Sequence, residues 1–216
     1  MLLRLVSLGA LVAGVAVVLI PLIGVWTRAH NDATALAQWQ NGGSQSLVGA
    51  VPASSSGAAT PSAEALCAAS RAPAEDYARI SFPSLTYGYA GIAAEGNWDT
   101  LQKRSMVHYQ GTPGPGQLGN MIMAFHREPE YEHVDELGPG GLVDIEDRSC
   151  HVFHYRVTQR WVLAPNKVTQ LAPTSGHDLT LITCTPWWRD YNRIVWRATL
   201  VPDAPAARSV PGVRAA

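Results

Sequence analysis

The sequence predicts an all-β barrel or sandwich that follows an N-terminal apolar helix. Three observations predict this arrangement: a charge-free run over 5–27, a stretch rich in Ala, Ser, Gly and Pro over 28–74, and a series of short apolar runs from residue 75 onward. Gly and Pro separate those short runs, as is typical of antiparallel sheets. About 125 residues are enough to enclose one hydrophobic core.

The first region has the length of a membrane span. Leu5–Thr27 contains no charged side chain, and Arg4 and Arg28 flank it. About 20 such residues cross the hydrocarbon core of a bilayer at 1.5 Å per residue. We predict an uncleaved single-pass anchor over 1–27. The alternative is a cleaved signal peptide with Ala33-Thr34-Ala35 as the cleavage site, but that site lies well beyond the end of the run.

The composition predicts three further segments. Residues 28–74 indicate a flexible stalk, although a short helix over Asn31–Trp39 could continue the anchor. Residues 75–203 form the folded domain, and 204–216 form a disordered tail. Because everything after the anchor resembles an exported chain, we expect the N-terminus in the cytoplasm and the domain outside the cell.

The folded domain contains seven runs with the composition of strands. They are ARISFP, LTYGYAGIA, NMIMAF, GLVDIE, CHVFHYRVTQRWVL, LTLITC and RIVWRATLV. Asn97 is placed to cap a short helix that ends near Leu101, and a second helix is expected over Glu130–Leu137.

Composition argues against several functions. The formal net charge is −1 and no basic run exceeds two residues, so no nucleic-acid partner is expected. The three cysteines, Cys67, Cys150 and Cys184, lack metal-ligand spacing, and we expect neither a metal nor a cofactor. Cys67 and Cys150 could form a disulfide, or remain unpaired.

An acidic cluster follows His126. Its members are Glu128, Glu130, Glu132, Asp135 and Glu136. Such clusters can bind Ca²⁺, but a solvated helix face is the interpretation that we favour.

Two polar residues lie where two apolar runs meet. Cys184 ends the run Thr180–Thr183, and Arg193 begins the run that contains Ile194 and Val195. Two adjacent strands joined by a short loop would bring the thiol and the cation together. A neighbouring cation favours the thiolate, which is the nucleophilic form of cysteine.

A cysteine nucleophile needs an acid/base partner. His126 follows the apolar run Asn120–Phe125, at a strand-to-loop junction where functional groups are common. His108 precedes a Pro/Gly loop and is the alternative. The remaining histidines are interpreted as structural.

These residues lie in segments that resemble a known family. TLITCTPWWRDYNRIVWRATL resembles the active-site stretch of bacterial sortases, which are membrane-anchored cysteine transpeptidases. HYQGTPGPGQLGNMIMAFHR is similar to the segment that leads into their catalytic histidine, and ISFPSLTYGYAGIA to their opening strand. The resemblance covers Ala78–Val201 and is closer to the C-, D- and E-type branches than to the A-type. Phe125 departs from the glycine that most often precedes the histidine.

The resemblance implies an eight-stranded barrel and a mechanism. Cys184 would be the nucleophile, His126 the general acid/base and Arg193 the stabiliser of the oxyanion. The enzyme would cleave an LPxTG-like sorting signal at its Thr–Gly bond through a thioacyl intermediate. Its partners would be exported proteins that carry this signal, and an amine of a peptidoglycan precursor or of a pilin.

Other residues and functions remain open. Thr183, Trp187 and Trp188 are candidates for binding the sorting signal, although the tryptophans could equally cap the mouth of the barrel. A catalytically silent barrel that binds peptide or cell wall is one alternative function. Hydrolysis of the acyl-enzyme, which would make the protein a protease, is another.

Overall fold

A computed structural model describes residues 2–48 and 76–202. The predicted stalk from residue 49 onward, including Cys67, and the predicted tail lie outside these ranges. The division into anchor, stalk, domain and tail therefore stays a prediction.

Helix α1 spans Leu2–Val48. Its apolar part is long enough to cross a membrane, by length and composition. The helix includes the segment predicted over Asn31–Trp39, and it continues over 28–48, where the sequence predicts a flexible stalk. The reason is tertiary packing, because Ala35 and Trp39 lie on one side of the helix and are buried against the folded domain.

The domain is a closed barrel of eight strands. The strand order is β1-β2-β3-β4-β7-β8-β6-β5. Strands β2 and β3 pair in parallel, as do β4 and β7. The predicted all-β barrel is confirmed. The strand bounds are β1 Asp76–Ser81, β2 Ala90–Gly96, β3 Met106–Tyr109, β4 Gly119–Phe125, β5 Leu142–Glu146, β6 Val152–Leu163, β7 His177–Thr185 and β8 Asn192–Leu200.

The short helix α2 lies between β2 and β3, at Trp98–Leu101. Asn97 caps it as predicted, because its side-chain oxygen accepts hydrogen bonds from the backbone N–H groups of Asp99 (2.9 Å) and Thr100 (3.3 Å). Strand β3, which the sequence analysis missed, has only four residues.

The second predicted helix is reduced to a 3-10 turn at Val134–Glu136. The buried side chains of this segment, Tyr131, Val134 and Leu137, are spaced by three residues. A 3-10 helix has three residues per turn, so a spacing of three keeps these side chains aligned on one face. The acidic side chains on its other face are largely exposed, at 47% for Glu132, 40% for Asp135 and 53% for Glu136.

The barrel has an inner and an outer apolar cluster. Side chains alternate between the two faces of a strand. In β7, Leu179 and Leu181 belong to the inner core, while Ile182 packs outside with Ala124 of β4 and Val195 of β8.

Candidate active site

Strands β7 and β8 bring the candidate thiol and guanidinium together. Cys184 and Arg193 are direct cross-strand partners in this antiparallel pair. Directly opposed residues have Cβ atoms about 5 Å apart. The short loop 186–191 that joins the strands fixes this register.

Strand β4 brings His126 to the same place. It runs parallel to β7, with Ala124 paired to Ile182. His126 and Cys184 each lie two residues beyond this last pair of the ladder. Parallel pairing therefore places the imidazole beside the thiol at the end of both strands.

The three candidate residues share the outer face of the barrel. Ile182, Ala124 and Val195 each lie two residues from Cys184, His126 and Arg193, and all three belong to the outer cluster. Because side chains repeat with period two, the candidate residues extend three outward-facing rows. This geometry produces a polar centre at one end of the buried outer cluster, which the partly buried Trp161, Val168 and Leu171 cover.

Two hydrogen bonds orient His126. Its backbone N–H donates to Ser105 O (2.8 Å), and its ring Nε2 lies 2.8 Å from Leu101 O at the end of α2. A carbonyl oxygen only accepts, so Nε2 carries the proton. Nδ1 of the neutral ring then keeps its lone pair, and no residue of the described ranges is hydrogen-bonded to it.

The surroundings of Cys184 favour the neutral thiol. Burial raises its pKa, and the charge of Arg193 acts in the opposite direction without outweighing burial, while Glu128 and Asp190 raise the pKa further. The side chain is a free cysteine. Arg193 thus favours the thiolate, as expected, but its effect on the pKa of Cys184 is smaller than that of burial.

The surroundings of His126 favour the neutral imidazole. Burial and then the charge of Arg28 lower its pKa, while the bond to Leu101 O and the charges of Glu128 and Asp32 oppose this effect. Within 76–202 no hydrogen bond joins the thiol to the ring. The raised pKa of the thiol and the lowered pKa of the imidazole both favour the neutral pair.

Arg193 keeps donors for a ligand. Its Nη1 donates to the carbonyl oxygens of Asp190 (2.8 Å) and Asn192 (3.1 Å). The guanidinium has five N–H donors, and its Nε and Nη2 donate to no residue in the described part of the chain. The half-buried group is thus held at one side and available at the other.

The sequence analysis missed two residues that follow His126. Arg127 is 4% exposed. Its guanidinium donates to Thr185 Oγ1 (3.0 Å) and to Glu132 O (3.0 Å), and pairs with Asp135 (2.6 Å). It therefore ties the residue after the cysteine to the loop after the histidine. An arginine next to a candidate histidine was the available signal.

Glu128 is the other missed residue. Its carboxylate accepts a hydrogen bond from the backbone N–H of Trp188 (2.6 Å). It also raises the pKa of both Cys184 and His126. Glu128 therefore combines a structural bond to the 186–191 loop with a charge beside both reacting groups.

The candidate binding residues take different positions. Thr183 is buried, and its hydroxyl donates to Phe125 O (2.6 Å), so it joins β7 to β4. Trp187 is partly buried, while Trp188 is 54% exposed and meets it edge-on. Phe125 lies in the inner core. The bulk that replaces the usual glycine therefore points away from the outer face.

His108 and Cys150 are not part of this centre. His108 is hydrogen-bonded to Glu95 and to Pro113 O on another side of the barrel. Cys150 is disulfide-bonded, while its proposed partner Cys67 lies outside the described ranges. No group of three or more His, Cys, Asp or Glu suited to a metal occurs within 2–48 and 76–202.

Comparison with known proteins places the chain in a family. The sortase domain model matches residues 80–201. A Clostridium perfringens sortase D5 transpeptidase is 26% identical, with a TM-score of 0.51 over 58% of this chain and 79% of that one. Sortase E from Streptomyces avermitilis is 26% identical, with a TM-score of 0.50 over 59% and 88%.

A pilus sortase shares the fold at lower identity. Sortase C2 of pilus island 1 from group B Streptococcus is 22% identical, with a TM-score of 0.54 over 62% of this chain and 78% of that one. No curated protein gives a significant match. The lean towards C-, D- and E-type branches is compatible with these neighbours, which do not distinguish one branch. The match over more than half of the chain, on a closed eight-stranded barrel, shows that this protein belongs to the sortase family.

Proposed function

We propose that this sortase uses Cys184 as its nucleophile to cleave an LPxTG-like sorting signal at the Thr–Gly bond. The supporting observation is the register of three strands, which directs Cys184, His126 and Arg193 to one outer face. The partly buried Trp161, Val168 and Leu171, which pack on the outer cluster, would offer a surface for the apolar residues of an extended peptide. Thr183 would support this surface from below, and Trp187 and Trp188 would border it.

The first half-reaction transfers the acyl group to sulfur. His126 Nδ1 takes the thiol proton, and Sγ attacks the threonine carbonyl carbon. Arg193 donates to the resulting oxyanion, which is where a preorganised donor stabilises a transition state. The C–N bond then breaks, and the imidazolium gives its proton to the departing glycine amine. A thioester remains on Cys184.

The second half-reaction releases the product. A neutral amine attacks the thioester carbonyl and passes its proton to His126, and the thiolate leaves and is reprotonated. The product is a new amide bond to a peptidoglycan precursor or a pilin. With water as the acceptor, the same steps give hydrolysis.

Trapping the thioester tests the proposal. The wild-type protein is incubated with a Leu-Pro-Ala-Thr-Gly peptide, and its intact mass should rise by that of the acyl fragment. Cys184→Ala should abolish both the adduct and cleavage, while circular dichroism shows an unchanged barrel. Turnover in that variant would remove the nucleophile assignment.

Adding an amine separates the alternative functions. Triglycine at millimolar concentration should yield a ligated product in preference to the free acid. Only free acid would indicate a protease. An unreacted peptide that nevertheless binds would indicate the silent barrel.

A further inference from the structure

One face of helix α1 is docked on the barrel. Asp32, Ala35, Leu36 and Trp39 are spaced three or four residues apart and therefore share one side of the helix. Ala35 and Trp39 are buried in a cluster with Ile92 of β2, and Leu36 packs beside them. The membrane-proximal part of the helix is thus attached directly to the domain that carries the active site.

A charged group fixes the register of this contact. Asp32 accepts hydrogen bonds from Arg104 Nε (3.3 Å) and from the backbone N–H of Ser105 (2.9 Å). Arg104 also pairs with Asp76 at 2.8 Å, and the three side chains are 11%, 14% and 1% exposed. Buried charges are tolerated only with well-placed partners, so the helix cannot slide or rotate without leaving one unpaired.

The same contact lies close to the candidate active site. Ser105 donates its N–H to Asp32, and its carbonyl accepts the backbone N–H of His126 (2.8 Å). The charge-free run ends at Thr27, and Asp32 lies five residues later. Five residues span about 7.5 Å along a helix axis. Trp26, at the end of the charge-free run, is 69% exposed, as expected for an aromatic residue at a membrane interface.

We infer that the docked face of helix α1 holds the catalytic centre at a fixed height, within about 20 Å of the membrane surface. The inference rests on the proposed function and on α1 acting as the anchor. Its consequence is a spacing rule for the substrate. A membrane-embedded protein is cleaved best when its scissile bond lies about three to six extended residues from its own span.

The height is measured without relying on catalysis. Cys184 is the free thiol, so it is labelled with a fluorophore in the full chain, which is reconstituted in phosphatidylcholine vesicles. Energy transfer to acceptors on lipid headgroups should be high. Ala35→Glu should undock the face and lower the transfer, because a flexible tether of about 47 residues spans about 38 Å. Ala37→Glu, on the exposed face of the same helix, is the matched control and should match the wild type.

A second variant guards against misfolding. Asp32→Ala leaves Arg104 its partner Asp76, so the barrel keeps a compensated charge. It should also lower the transfer. Low transfer in the wild type, or equal transfer in the wild type and both undocking variants, would overturn the inference.

The spacing rule is tested with single-span substrates in the same vesicles. Their Leu-Pro-Ala-Thr-Gly motif lies four, twelve or twenty-four residues from the span. The wild type should cleave the shortest about tenfold faster than the longest, as expected for a high effective concentration, and Ala35→Glu should lose this preference. Equal wild-type rates would overturn the rule. Failure to cleave any of them would count against the proposed function, and the energy transfer would still decide the height.

Discussion

His108 and His126 each lie beside an acidic residue, and of these two only His126 has the arrangement of a proton-transfer group. His108 is 2% exposed. Its Nδ1 faces Glu95 Oε2 (2.6 Å), its Nε2 faces Pro113 O (3.0 Å), and its ring stacks on Tyr77 at 4.2 Å. His126 is half-buried and uses one ring nitrogen, towards Leu101 O.

The difference teaches what separates a structural from a reactive histidine. Both nitrogens of His108 face acceptors, so neither is left to collect a proton from a substrate. The single bond of His126 fixes its tautomer and orientation and leaves Nδ1 free. Burial alone does not distinguish the two, whereas the number of satisfied ring nitrogens does.

The strongest test of this comparison is the loss of each ring. His126→Ala should lower kcat/KM by about 10²–10⁴-fold, the usual contribution of general acid–base catalysis. The melting temperature should fall only modestly, because the ring makes a single part-buried hydrogen bond, to Leu101 O. Peptide cleavage assays and thermal unfolding give both values. If His108→Ala lowered kcat/KM strongly and His126→Ala lowered it only slightly, the assignment of the two histidines would be reversed.

The next largest effect is expected at Arg193. Arg193→Lys keeps the charge but loses the planar set of donors. Loss of an oxyanion donor costs about 10²–10³-fold in kcat, so we expect a loss of this size with KM nearly unchanged. Arg197→Lys, at the next outward-facing arginine of β8, is the control. Equal losses in the two variants would show that the effect is not specific to the oxyanion.

His108→Ala should affect stability instead of turnover. It leaves the part-buried Pro113 carbonyl without the His108 ring, which costs about 1–3 kcal/mol of unfolding free energy. Glu95 is 42% exposed, so the lost contact with its carboxylate adds little. Urea denaturation measures the cost. Well below the unfolding midpoint, kcat/KM should match the wild type, and a large loss there would give His108 a catalytic part.

The sequence was sufficient to predict the barrel and to predict that Cys184, His126 and Arg193 lie close together. Period-two alternation and short loops determine strand pairing locally, and the family resemblance supplied the strand count. The pairing of β4 with β7 joins segments far apart in sequence, so only the resemblance could suggest it.

Other features depend on tertiary contacts that periodicity does not report. The helix continues to Val48 because Trp39 and Asp32 find partners on the barrel. The segment Glu130–Leu137 tightens to a 3-10 turn to bury Val134. The raised pKa of Cys184 results from burial exceeding the effect of Arg193, a balance that the residue types alone do not reveal.

The smallest expected effect is a shift of the pH profile, caused by Glu128. Its charge raises the pKa of Cys184 and of His126. Glu128→Gln keeps an oxygen for the Trp188 N–H and removes the charge, so both pKa values should fall. In the bell-shaped profile of kcat/KM, the acidic limb follows the imidazole and the alkaline limb the thiol, and both should move to lower pH.

Arg28→Gln should move the acidic limb in the opposite direction. Arg28 lowers the pKa of His126 and is not among the groups that act on Cys184. Removing its charge should therefore raise the pKa of His126 and move the acidic limb to higher pH, while the alkaline limb stays in place. The two variants together distinguish the limbs, because Glu128→Gln should move both limbs and Arg28→Gln should move only the acidic limb. If Glu128→Gln moved only the alkaline limb, the acidic limb would not report His126, and the contrast between the two histidines would lose its kinetic support.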